Sequence, residues 1–197
     1  GGSQATELAE TLVELSGIVR EGLNRTSSLV GDLHQFARPG RRGEVRSGVD
    51  LAVGLRSTLS LVGHAISAAN AQLEVDVEAG LPKVVGDPGG LNQVFLNLIK
   101  NAVEALGGRG GRVDVSMRRE GEWVVIRVQD DGPGIAPEAL PRIFEPFYTT
   151  KDADGGSGLG LSISHGIIAD HDGTLTVQSE EGSGAEFTVR LPFQESP

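Results

Sequence analysis

A chain of 197 residues, 38% hydrophobic and 22% charged, has room for one full domain with an appendage or for two small ones, and is too apolar to be disordered. Seventeen basic against 27 acidic residues leave a net charge of −10, which excludes nucleic-acid binding through a broad basic face. The lack of cysteine removes disulfides, thiolate catalysis and thiolate-ligated metals; 29 glycines, about twice the usual share of ~7%, make their placement informative.

Residues 5 to 38 contain no proline, and apolar side chains recur at heptad spacing: Leu8, Leu15, Leu29 and Phe36 in one register, Leu12, Val19 and Leu33 in the other. Ile18, Leu23 and Val30 widen this stripe, so the pattern predicts a long helix that needs partner helices in a bundle. Pro39-Gly40 stops it, and an arginine-rich stretch to Arg46 reads as a linker. The expected division is a helix over 1–38, a linker over 39–48 and a domain over 49–197.

Beyond the linker, Leu51, Leu55, Leu59, Val62 and Ile66 predict an amphipathic helix over 50–69, and Leu73, Val75 and Val77 alternate as a strand. Asp87-Pro88 supplies a cap and a proline at the first helical position for a helix reaching about Leu106. Residues 112–119 and 122–130 form a hairpin turning at Glu120-Gly121, and 131–157 is irregular. A helix over 158–170 and two strands, 173–179 and 185–191, close the chain. Hairpins mixed with helices predict an α+β two-layer sandwich with an at least partly antiparallel sheet. No apolar run approaches the ~18 residues of a membrane span, and GGSQATEL has neither a basic nor an apolar signal-peptide region, so a cytoplasmic location is expected.

Four short blocks carry chemistry. In Asn97-Leu98-Ile99-Lys100-Asn101-Ala102-Val103-Glu104, the residues Asn97, Asn101 and Glu104 share one helical face, opposite Phe95, Leu98, Ile99, Ala102 and Val103. Neutral amide oxygens suit Mg²⁺ that already carries phosphate and water, although the block alone fits an ordinary surface face equally well. Asp130-Asp131-Gly132-Pro133-Gly134-Ile135 follows a strand; its aspartate can accept from an exocyclic amine and its glycines let backbone approach a flat ligand. Phe144 to Lys151 sets aromatics beside Thr149-Thr150-Lys151, a loop anchored by its rings with a lysine for phosphate. Gly155-Gly156-Ser157-Gly158-Leu159-Gly160-Leu161-Ser162 opens a helix whose N–H groups suit an anion, and it lacks the Gly-Lys-Ser/Thr ending of a P-loop.

In this order the blocks resemble the N, G1, F and G2 boxes of the catalytic domain of sensor histidine kinases, which share the Bergerat ATP-binding fold with gyrase, heat-shock-chaperone and mismatch-repair ATPases. The resemblance covers roughly 50–193 and includes His171-Asp172-Gly173 and Phe187 to Pro192, with Asp172 where a second glycine is common and Ala185 where a hydroxyl is common. It implies ATP and Mg²⁺ as ligands. Asp130 is implied to bind the adenine amino group, with Gly132, Gly134 and Ile135 against the ring. Asn101, assisted by Asn97, is implied to hold Mg²⁺. Lys151, Gly156, Gly158 and Gly160 are implied to face the phosphates, and Leu159 and Leu161 to seat the lid. Glu104 is assigned no phosphate contact.

Asn24 to Pro39 resembles the second helix of the family's dimerisation and phosphotransfer hairpin, which implies self-association through that helix and a response regulator as partner. The family's phosphorylated histidine precedes an acidic residue on the first helix; here no histidine precedes His34, which the heptad pattern predicts to face outward and which is followed by Gln35. No catalytic histidine is therefore assigned, and His64, His165 and His171 are expected to be structural. Two rivals remain: a gyrase- or chaperone-type ATPase, which resembles this chain but places a water-activating glutamate where Asn97 stands, and a non-catalytic ATP-binding scaffold.

Overall fold

The computed structural model describes residues 47–150 and 156–193, together with Leu15, Ser16, Val19 and Gly22. Two compact units divide the chain, Gly1–Pro39 and Gly40–Pro197. In the first, the described residues are helical and Leu15 and Val19 are exposed; the rest of the predicted bundle helix, His34 included, lies outside the described residues.

The second unit begins with β1 (Ser47–Val49), so the predicted linker ends in a strand. There follow α1 (Leu51–Ala68), β2 (Ala71–Val77), β3 (Val84–Gly86) and α2 (Pro88–Ala105), then the hairpin β4 (Gly111–Glu120) and β5 (Trp123–Asp130), then α3 (Gly160–Asp170), β6 (Thr174–Ser179) and β7 (Ala185–Pro192). β1 and β3 pair antiparallel as a separate ribbon. At three residues each they are too short to show alternation, which is why no strand is predicted for them. The β4–β5 turn is Gly121-Glu122, one residue beyond the expected position, because the ladder continues to Glu120 opposite Trp123.

The main sheet has the order β2-β4-β5-β7-β6, with β2 parallel to β4 and the other neighbours antiparallel. Alternate residues such as Val113, Val115 and Met117, or Phe187, Val189 and Leu191, are buried on one face, where α2 packs on β4 and β5, α1 on β2 and α3 on β6. One helical layer on one sheet is the α+β two-layer sandwich expected. The elongated, mostly antiparallel sheet leaves its other face to charged and polar side chains such as Arg127 and Gln129.

Both long helices start at capping aspartates. The Asp50 carboxylate accepts the N–H of Val53, and that of Asp87 accepts those of Gly89 and Gly90 ahead of a buried face running from Leu91 to Val103. Averaged over its length, α1 is apolar enough to cross a membrane, unlike any continuous run in the sequence; its buried face of Leu51, Leu55, Val62 and Ile66 instead packs on α2 as a core helix does. Of the histidines, His64 is exposed on α1 and His165 on α3, whereas His171 is buried.

Candidate functional site

Helix α2 joins the blocks. Gln93, Asn97, Asn101 and Ala105 follow one another at four-residue steps along one half-buried stripe. Asn97 meets the start of α3, its Nδ2 donating to the Gly160 carbonyl at 3.0 Å and to Ser164 Oγ at 3.1 Å. At the helix end, a side chain at Gly132 would lie 3.2 Å from Ala105 Cβ, so the loop after β5 closes on this turn. These two contacts are about 12 Å apart along the helix axis, and Asn101 sits between them. Its side chain makes no hydrogen bond among the described residues. Glu104, seven residues from Asn97 and within about 20° of it around the helix axis, is exposed and pairs with Lys100 at 3.6 Å.

Asp130 ends β5 with 4% of its surface exposed, and its Oδ1 accepts the N–H of Gly132 at 2.9 Å. Burial pushes its carboxyl above the usual carboxylate range, opposed by the backbone N–H groups of Gly132 and Ala185. Gly134 has φ +72°, and a side chain there would collide with the Glu180 carbonyl, so this glycine is demanded by the protein's own backbone. Ile135, half-buried, donates its N–H to Ser179 Oγ at 2.9 Å, and that hydroxyl donates to the Gly184 carbonyl at 2.6 Å. Ser179 thus ties the Asp130 loop to the β6–β7 turn.

In the third block Phe144 and Tyr148 are half-buried against the core, and the Phe144 ring lies 5.2 Å from that of His165 on α3. Phe147 is 63% exposed, so two of the three aromatics act as the anchor. Its N–H donates to the Gly158 carbonyl at 3.0 Å, and Gly158, at φ +66°, has no room for a side chain beside the Phe147 backbone. Gly156 is exposed, Leu159 is buried, and Leu161 packs half-buried on the core. No side chain caps the start of α3. Lys151 lies outside the described residues.

The donor set has a defined chemistry. No group of three or more His, Cys, Asp or Glu among the described residues could hold a metal ion. The side-chain oxygens at the half-buried positions of the stripe are neutral amides: those of Gln93 and Asn101, and Asn97 Oδ1, which accepts one hydrogen bond, from Gln93 Nε2 at 2.9 Å, and keeps a second lone pair. One or two hard neutral oxygens fit Mg²⁺ arriving with phosphate and water as its other ligands.

The family described as histidine kinase-, DNA gyrase B-, and HSP90-like ATPase matches residues 86–195, from the end of β3 to just past β7. The chain belongs to this family. Its two-layer sandwich is the Bergerat fold of histidine kinase catalytic domains. The sensor histidine kinase ZraS of Escherichia coli (strain K12) is 36% identical over 179 residues, covering 91% of this chain and 37% of ZraS. ShkA, solved full-length in complex with AMPPNP, has a TM-score of 0.78 at 33% identity, covering 90% of this chain and 38% of that one. The histidine kinase ThkA, solved in complex with the response regulator protein TrrA, has a TM-score of 0.71 at 26% identity over 90% of this chain and 50% of that one. The chain spans about two fifths of the length of ZraS.

Against this family background the structure adds residues that the four blocks do not mark: Gln93 and Ser164 on either side of Asn97, Ser179 behind Ile135, and His171 beneath the start of α2. Gln93 precedes Asn97 by one turn, and Ser164 follows Gly160 by one turn, so helical spacing alone marks them as neighbours on their own helices. Nothing in the sequence places Ser164 opposite Asn97.

Proposed function

We propose that this chain is the ATP-binding catalytic part of a sensor histidine kinase, taking Mg²⁺-ATP between α2, the loop after β5 and the start of α3. Asp130 accepts the adenine amino group, and Asn101 with Asn97 holds the metal. Lys151 and the backbone of Gly156, Gly158 and Gly160 face the phosphates. When bound, Mg²⁺ supplies charge neutralisation at the transferring phosphoryl group. The γ-phosphate goes to a histidine of the phosphotransfer hairpin and then to an aspartate of a response regulator. The complexes of ShkA with AMPPNP and of ThkA with TrrA lend support to nucleotide and regulator as ligands of the same fold. Self-association through the bundle helix and a cytoplasmic location belong to the same proposal.

One observation carries the choice of transfer over hydrolysis: the half-buried polar positions of α2 facing the gap are the amides Gln93, Asn97 and Asn101, while the carboxylate of Glu104 on this face is exposed. Both Nδ2 hydrogens of Asn97 are engaged, and an amide is no general base for water. Glu104, the nearest carboxylate on this part of α2, is paired with Lys100. The test is a thermal-shift titration with Mg²⁺-ADP followed by a hydrolysis assay. Ligand at ten times its dissociation constant stabilises the fold by about 1.4 kcal/mol. That is a shift of roughly 3–6 °C at this chain length. Asp130→Asn presents NH₂ to the adenine NH₂ and is expected to lose most of the shift. An undiminished shift would overturn the adenine assignment, and brisk ATP turnover by the wild type would move the chain to the ATPase branch.

A further inference from the structure

Ser164 has none of its surface exposed and sits one turn inside α3. Its hydroxyl donates to the Gly160 carbonyl at 2.8 Å, so its proton is committed and its oxygen faces Asn97 as an acceptor. The Gly160 carbonyl can only accept. Asn97 therefore meets two acceptors on its α3 side, Gly160 O at 3.0 Å and Ser164 Oγ at 3.1 Å, and satisfies both with the two hydrogens of Nδ2. A flipped amide would turn Oδ1 onto both acceptors. On the other side Gln93 Nε2 donates to Oδ1 at 2.9 Å.

We propose that Ser164 is a positioning residue for metal-nucleotide binding: together with the Gly160 carbonyl it fixes which end of the Asn97 amide is turned to the metal. The proposal rests on the nucleotide-binding reading above. Without the Ser164 hydroxyl, one Nδ2 hydrogen loses its acceptor in a buried place, and the preference between the two amide orientations falls. The same clasp couples the start of α3, which opens on the glycine block, to the helix bearing both asparagines. Loss of metal-dependent affinity, rather than of nucleotide affinity in general, is the signature that separates positioning from a structural role.

The experiment measures ADP affinity by calorimetry twice, in EDTA and in MgCl₂, for the wild type, Ser164→Ala and Gln93→Leu. For Ser164→Ala the affinity in EDTA is expected to stay within about twofold of wild type. The tightening brought by Mg²⁺ is expected to fall about three- to tenfold, as for one lost hydrogen bond. Gln93→Leu leaves both acceptors on the α3 side and is expected to keep the Mg²⁺ gain. If Ser164→Ala does not fold, Ser164→Cys, a weaker acceptor of similar shape, is expected to show the same loss. An unchanged Mg²⁺ gain in a folded Ser164 variant overturns the proposal, as does an equal loss with and without metal. If the wild type binds ADP in neither buffer, the nucleotide reading falls and the proposal with it; if it binds and only the variant comparison fails, the nucleotide reading stands alone.

Discussion

His171 Nε2 accepts the backbone N–H of Asp87 at 2.9 Å while its Nδ1 engages the Ile167 carbonyl at 2.7 Å. A carbonyl can only accept, so Nδ1 carries the proton and Nε2 is the accepting nitrogen. The ring fastens the end of α3 to the capping residue of α2, and a side chain at Gly86 would collide with it. His171→Ala removes the acceptor of a partly buried N–H and leaves a cavity. The expected cost is on the order of 2–3 kcal/mol. That lowers the melting temperature by roughly 5–10 °C for a chain of this size. A variant melting within a degree of the wild type would show that this contact contributes nothing to stability.

Asp130 makes stability depend on pH in an unusual direction. Burial raises its carboxyl pKa in the folded state, so the native protein holds a proton that the unfolded chain releases first. In the window from the ordinary carboxylate range up to that raised value, the native state binds more protons than the unfolded state. Stability from this group therefore falls as pH rises through the window, and the full cost applies above it. Asp130→Asn does not titrate. The stability of the wild type minus that of the variant, from urea unfolding at a series of pH values, is expected to decrease as pH rises from the ordinary carboxylate range through the raised value of Asp130. A difference that stays flat or grows with pH would contradict the burial argument.

Periodicity and capping made most of this fold legible. The α2 cap at Asp87-Pro88, its buried face and the alternation on β4 follow from local physics, and the structure has them where these signals place them. The ribbon β1–β3 was not legible, because Ser47–Val49 pairs with Val84–Gly86 across more than thirty residues with no pattern of its own. Glu104 lies in the direction its seven-residue spacing from Asn97 implies, but its exposure and its pairing with Lys100 depend on packing that spacing does not show. The motif glycines were legible as glycines but not as to cause: Gly134 and Gly158 are excluded from carrying side chains by the backbones of Glu180 and Phe147, which lie far off in sequence or in another block.

Asp172 holds φ +55°, a left-handed conformation, directly after the end of α3. Its N–H donates to the Ala169 carbonyl at 3.0 Å, the geometry of a helix C-terminal cap. It is also the position where the resemblance makes a second glycine common, and the backbone angle supplies the reason. The side chain is exposed, so Asp172→Gly removes no buried contact. Relief of the left-handed penalty, offset by the greater freedom of glycine in the unfolded chain, is expected to stabilise the protein by about 0.5–1 kcal/mol. Chemical denaturation reads this directly, and a destabilised variant would mean that the Asp172 side chain has a role the backbone does not show.

Phosphoryl transfer to histidine requires an imidazole in line with the γ-phosphate and a carboxylate placed to orient it and take its proton. Neither buried His171, with both ring nitrogens engaged, nor His165, against the Phe144 ring, offers such an arrangement. His64 is exposed on α1 and followed by Ala65, and His34 is followed by Gln35. None of the four histidines has an acidic residue directly after it except His171, which is committed to the α2–α3 clasp. This chain is therefore expected to bind ATP without labelling itself. Incubation with γ-labelled ATP, followed by an acid-labile phosphate assay, is expected to leave the protein unlabelled, while a supplied phosphotransfer hairpin of a related kinase gives it an acceptor to work on. Acid-labile label on the chain alone that disappears in His34→Gln would overturn both the reading of His34 as an outward-facing bystander and the assignment of its helix as the second of the hairpin.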